Sequence, residues 1–284
     1  MGFIPYIQQN PFMLAKAFLS LTSYPAFRRV IWKPVYEGLA KHFKINDWHF
    51  MNYGYAPAGS NRALALQPND EINRYPIQLY HFLAEKTEIK DKHVLEVGSG
   101  RGGGASYITR YMKPAKMVGL DIASNAIKLA SKNHPETNLH FLQGNAEKLP
   151  FDDQSFDVVL NVESCHAYGS VPRFLSEVKR VLKPGGIFLC TDMRDPNGML
   201  LLKSYLQDSG LTLLSEENIT GNVVLAIEEE DSIKQKRIEQ HVKPWMRSTF
   251  SQFAGTKGSQ IHLDLQSNAL IYYSFVMQKK HEAA

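Results

Sequence analysis

Residues 96–104 read Glu96-Val97-Gly98-Ser99-Gly100-Arg101-Gly102-Gly103-Gly104, and this stretch decides the fold. It closes the apolar run Val94-Leu95-Glu96-Val97, a short strand, and leads into 107–112, whose pattern is helical. A glycine-rich turn between a strand and a helix lets the backbone approach a ligand that a Cβ would hold off. The spacing of Gly98, Gly100 and Gly103 satisfies the dinucleotide fingerprint, so the turn alone does not choose between cofactor classes.

Downstream the chain keeps alternating. Strand patterns at 117–120, 139–142, 156–160 and 186–190 are separated by helical patterns at 126–133 and 171–182. Strands apolar on both faces, with helices between them, imply a mainly parallel α/β sheet covered on both sides. Such sheets bind ligands at the carboxyl ends of the strands, where strand order reverses. Asp121 ends the second strand, where an acid can accept hydrogen bonds from both ribose hydroxyls of an adenosine-bearing cofactor. Beyond residue 192 the pattern loosens. Residues 216–240 read as polar helix, with Glu228-Glu229-Glu230-Asp231 as a solvated face, and 269–277 returns to strand.

Upstream, 70–86 has a helical pattern, and Phe27, Val30, Ile31, Tyr36, Leu39 and Phe43 form a helical stripe beside Arg28, Arg29 and Lys33. That stripe fits a lid over a greasy substrate, a helix resting on a membrane face, or a helix packed on its own domain. The expected organisation is an N-terminal helical extension over 1–90 and a ligand-binding domain over 91–284, with a helical insertion at about 219–254.

Composition narrows the classes. The 284 residues are 44% hydrophobic and 21% charged, an ordinary globular balance, and the net charge of +4 comes without a dense basic run. A nucleic-acid substrate is not favoured. Cys165 and Cys190 have neither knuckle nor CxxC spacing and read as small buried hydrophobes, and no metal-ligand pattern is present. No stretch reaches the roughly 18–20 apolar residues of a spanning helix, so a soluble cytoplasmic protein is the expectation.

Taken with Gln143-Gly144-Asn145-Ala146-Glu147-Lys148-Leu149-Pro150-Phe151 and Arg180-Val181-Leu182-Lys183-Pro184-Gly185-Gly186, the ordered motifs over 92–195 resemble those of class I methyltransferases dependent on S-adenosylmethionine (SAM). The resemblance implies a Rossmann-like, seven-stranded, mostly parallel sheet with an antiparallel last strand. It also implies roles. Glu96 and the backbone of Gly98 and Gly100 face the methionine part of SAM; Asp121 holds the ribose; Ile122 packs on adenine; Asn145 and Ala146 read the adenine edge. Many relatives carry Asp where Asn145 stands, and the amide oxygen can still accept from the adenine amino group. The Asn161 backbone lies near the methionine amino group. Asn52-Tyr53-Gly54-Tyr55 resembles an aromatic segment that closes over SAM, with Tyr55 and Tyr80 as candidate contacts or, equally, packed helix tyrosines.

Methyl transfer needs an aligned nucleophile and, for a hydroxyl, a base. His166 follows the fourth strand and Asp192 closes the fifth, and neighbouring strands lie about 4.8 Å apart, so their ends can join the pair. A carboxylate on one ring nitrogen fixes the tautomer and directs the other to the proton. This order resembles small-molecule O-methyltransferases. In Val94–Val97 with Gly102-Gly103-Gly104-Ala105-Ser106-Tyr107, in Asn145–Phe151, Asp157–Glu163 and Gly258-Ser259-Gln260, and in the final strand, the chain from 45 to 280 resembles, more narrowly, the phthiotriol/phenolphthiotriol dimycocerosates methyltransferase group, which implies a hydrophobic, hydroxylated small-molecule or lipid acceptor. Glu163 is the weaker alternative base, suited to a C-methyltransferase acting on a sterol-like or quinone-like ring. A nicotinamide oxidoreductase and a SAM-fold protein that only binds are the rivals from other classes.

Overall fold

The computed structural model describes residues 48–59 and 64–281, so the stripe at 27–43 lies outside the described residues. After a 3-10 turn at Pro68–Asn73 the elements run α1 (Arg74–Ala84), β1 (His93–Val97), α2 (Gly103–Met112), β2 (Lys116–Asp121), α3 (Ser124–Asn133), β3 (Leu139–Gln143) and β4 (Phe156–Val162). They continue with α4 (Val171–Val181), β5 (Leu182–Arg194), α5 (Pro196–Asp208), β6 (Thr212–Asn218), α6 (Thr220–His241), α7 (Arg247–Ala254), α8 (Gln260–Gln266) and β7 (Ile271–Gln278). The sheet order is β3-β2-β1-β4-β5-β7-β6. Strands β1 to β5 pair in parallel, and β7 runs antiparallel to both β5 and β6.

Period-two alternation divides the core. Val94, Val158 and Leu160 face Leu79 and Leu83 of α1, Ile108 of α2, and Val223 and Ile227 of α6. Leu95, Val159 and Phe188 face the other way, onto Phe174 and Val178 of α4 and Leu206 of α5. Helix starts are set locally: Ser170 Oγ accepts from Arg173 N, and Asp195 Oδ1 accepts from the amides of Asn197 and Gly198, each followed by a proline in the first turn. The order reverses between β1 and β4, and that switch point opens the crevice for a ligand.

Two expectations need correction. The stretch from 216 is not helix throughout: Glu216–Asn218 end β6, an edge strand whose residues are all exposed and which is held by its ladder to β7. The acidic run is not wholly solvated either. Glu230 is 2% exposed, because Val223, Ala226, Ile227 and Glu230 share one face of α6. No helix among the described residues is long and apolar enough to cross a membrane.

Candidate active site

The turn after β1 is pinned to β2. Gly98 N and Ser99 N both donate to Leu120 O, at 2.7 and 3.0 Å. Asp121 then caps the turn: Oδ2 accepts from Gly100 N at 2.9 Å and Oδ1 from Ala123 N at 2.8 Å. Gly98 has φ +81°, and a Cβ there would collide with Ser164 Oγ. Among the described residues Gly100 (φ +51°) has only Met51 Sδ, at 3.9 Å, near the place of a Cβ, so on their side its face is open.

That open face belongs to a cavity of about 460 Å³, within the usual range of small-molecule sites. Gly98, Gly100, Asp121, Ile122, Asn145, Ala146, Tyr80 and His166 all line it. Glu96, Asn161, Asp192 and Tyr55 do not. Tyr55 stacks on Phe82 at 4.3 Å, and its neighbour Tyr53 takes the place on the wall. Asn161 is fully buried beneath: its Nδ2 donates to Val97 O at 2.8 Å and its Oδ1 accepts from Cys165 N at 3.1 Å, locking the ends of β1 and β4 together.

Glu96 is also fully buried, and its Oε1 accepts from Tyr80 OH at 2.6 Å. Burial pushes its carboxyl up to about 7, against the pull of the Tyr80 hydrogen bond. Its Oε2 is buried without a hydrogen bond of good geometry to any described residue. Tyr80 in turn packs over Gly104, where a Cβ would strike its ring.

Elsewhere on the cavity wall, His166 Nδ1 lies 2.8 Å from Asp192 Oδ1. Asp192 is fully buried and also takes the His166 amide (2.9 Å), the Met193 amide (2.8 Å), the Cys165 thiol (2.9 Å) and the Arg194 guanidinium (2.9 Å). Burial would raise this carboxyl, but Arg194 and His166 more than offset it and hold it well below the usual range. An ionised Asp192 can only accept at this contact, so Nδ1 is the ring nitrogen that donates to it. Cys165 is buried as expected, yet it does more than fill space, since its S–H points at the carboxylate.

Glu163, which sequence reasoning ranked second, stands on the wall in a left-handed backbone conformation (φ +45°). Its Oε1 accepts from Tyr53 N at 2.9 Å and Tyr272 OH at 2.8 Å. Burial raises its carboxyl to about 8, so it holds a proton at neutral pH. Sequence reasoning missed the contributions of α6, namely Glu230, Lys234 and Arg237. The signal was there in the helical spacing of Glu230 and Lys234 from Ile227.

A family model described as a methyltransferase domain matches residues 95–190. The phthiotriol/phenolphthiotriol dimycocerosates methyltransferase of Mycobacterium leprae is 36% identical over 261 residues, spanning 91% of this chain and 96% of the relative. The chain is a class I SAM-dependent methyltransferase of that family. A fatty-acid O-methyltransferase of Mycolicibacterium smegmatis is 38% identical over 253 residues, spanning 88% of this chain and 90% of the relative. Among solved structures, the [4+2]-cyclase SpnF aligns with a TM-score of 0.65 over 89% of this chain and 97% of its own, at 20% identity. That likeness is one of fold alone.

The residues present fit SAM. The open face at Gly100, the half-buried Asp121 carboxylate beside it and the apolar slot of Leu120, Ile122 and Ala146 make a cradle for an adenosine. Cys165 and Cys190 are left as free thiols.

Proposed function

We propose that this methyltransferase O-methylates a hydroxyl on a hydrophobic small molecule or polyketide-type lipid, with His166 as general base. The observation that carries the reading is the 2.8 Å contact of His166 Nδ1 with the buried Asp192, on the wall of the cavity that also holds Gly98 and Gly100. SAM, when bound, supplies the electrophilic methyl group. Gly98 and Gly100 admit the cofactor, Asp121 accepts from its ribose, and Ile122, Asn145 and Ala146 surround its base. His166 Nε2 takes the proton of the acceptor hydroxyl, and Asp192 stabilises the imidazolium that results. Arg194 holds Asp192 ionised throughout. The hydrophobic acceptor is supported by the relatives, named for dimycocerosates and for fatty acids.

The fatty-acid relative favours a second reading, methylation of a carboxylate. A free carboxyl is already ionised at neutral pH and needs no base. The two readings part on one experiment. Labelled SAM is offered with a long-chain secondary alcohol and with a fatty acid, and products are identified by mass. Hydroxyl methylation predicts an ether, with turnover falling about 10²–10⁴-fold in His166→Ala. An ester product that survives His166→Ala overturns the base assignment. A sterol-like or quinone-like ring compound offered alongside completes the assay, and a C-methylated ring product that depends on Glu163 overturns O-methylation itself.

A further inference from the structure

Glu163 is a carboxyl on the cavity wall that proton transfer at His166 does not use. It follows β4, lines the cavity together with His166 and is partly exposed. Its backbone is fixed: φ is +45°, and its amide donates to Thr191 O at 2.9 Å. The His166 amide donates to Oδ2 of Asp192, the next residue of β5. Both side chains thus start from one short loop, three residues and at most about 11 Å apart.

The two carboxyl oxygens of Glu163 differ. Oε1 accepts from Tyr53 N at 2.9 Å and from Tyr272 OH at 2.8 Å, and these two donors fill its lone pairs. Oε2 makes no hydrogen bond with any described residue and, unlike Oε2 of Glu96, is not sealed from solvent. Neither donor to Oε1 is a cation, so nothing in that contact demands an ionised carboxyl. Burial, with the charge of Asp192 nearby, keeps the group protonated at neutral pH. With Oε1 saturated, the proton sits on Oε2.

A neutral O–H donor on a largely apolar wall selects its partner. A second hydroxyl of the acceptor would bring an O–H for which the saturated Oε1 offers no lone pair. A carbonyl accepts and donates nothing, so it satisfies Oε2 and strands no group of its own.

We infer that Glu163 Oε2 donates to a carbonyl oxygen of the acceptor, so that the preferred substrate carries a carbonyl a few bonds from the hydroxyl that His166 deprotonates. This rests on the hydroxyl-methylating reading above. Glu163 is then a binding residue that selects the substrate, and it takes no proton from it.

The test offers labelled SAM with a long-chain β-hydroxy ketone, the matching secondary alcohol without the carbonyl, and the matching fatty acid. Wild type is compared with Glu163→Gln and Glu163→Met. Gln keeps an acceptor for Tyr53 N and Tyr272 OH and places an N–H donor where Oε2 stood; Met supplies neither. All substrates are assayed on one sample of each protein, so partial unfolding cancels from the ratio of kcat/KM. The wild-type ratio of hydroxy ketone to alcohol should be at least about tenfold, carried mainly by KM. It should stay within about threefold of that value in Glu163→Gln and fall to near one in Glu163→Met. A wild-type ratio near one, or a ratio that survives Glu163→Met, overturns the carbonyl contact while the hydroxyl reading stands. A ratio that collapses in Glu163→Gln as fully as in Glu163→Met overturns the donor. Loss of turnover with both hydroxyl compounds in a folded Glu163→Gln makes Glu163 the base and overturns it too. A fatty acid preferred over both, with that preference lost in Glu163→Met, assigns a carboxylate partner and overturns the carbonyl. No ether from either hydroxyl compound overturns the hydroxyl reading together with this inference.

Discussion

Replacing Glu163 by Gln keeps an acceptor for Tyr53 N and Tyr272 OH but removes the one carboxyl on the cavity wall that burial raises to about 8. The ordinary value is 4.5, so between there and about 8 the folded chain binds more protons at this site than the unfolded chain. Stability is therefore fullest below about 4.5 and declines as pH rises through 8. Glu96, raised to about 7, acts in the same direction over a lower range. Buried His134 opposes both: burial lowers it from 6.5 to about 4, so its charging destabilises the fold as pH falls below 6.5. The window from pH 7 to 8 is the clean one. Across it Glu163 should cost about 1 kcal/mol and Glu96 about 0.3 kcal/mol. Urea titrations at pH 7.0, 7.5 and 8.0, chosen to bracket about one unit of titration, should show wild type losing about 1.3 kcal/mol and Glu163→Gln only about 0.3. Equal losses in the two proteins would refute the protonated Glu163, and with it the neutral group on that wall.

Three further outcomes follow from the geometry. Asp192→Asn strands the buried Arg194 and misdirects the His166 tautomer; it should cost about 3–5 kcal/mol by denaturant titration and reduce turnover of an alcohol about 10²–10⁴-fold. Asp121→Ala removes the acceptor that holds Gly100 N and faces the cavity, and calorimetry should find SAM bound about 10–100-fold more weakly, with the fold retained by circular dichroism. Tyr80→Phe leaves the buried Glu96 without its phenol donor, and a loss of about 1–3 kcal/mol in stability is expected; an unchanged melting temperature would refute that bond.

Much of this was legible. The glycine turn, the alternation through β5 and the meeting of His166 with Asp192 all follow from short-range pattern plus the adjacency of β4 and β5. What was not legible depends on distant packing. Every residue of edge strand β6 stays exposed, so the strand carries no apolar period; its ladder to β7 makes it a strand. Strand β5 begins at Leu182, ahead of Pro184 and the glycines, because its pairing with β4 slips between Leu182 and Ile187 and absorbs them in a bulge. Tyr53 and Tyr55 alternate, and composition cannot tell which faces the wall. Glu230 lay inside a run of acids, where charge masked the helical spacing that buries it.

The place of β7 has a consequence for biosynthesis. It comes last in chain order among the strands of this sheet, yet it lies between β5 and β6 and brings the Tyr272 phenol to Glu163. Until it arrives, the nascent chain has an open β5 edge carrying Asp192, and β6 has no partner at all. Completion of the wall at Glu163 thus waits on Ile271–Gln278, and a chain halted ahead of Ile271 leaves open a strand edge able to pair with other chains.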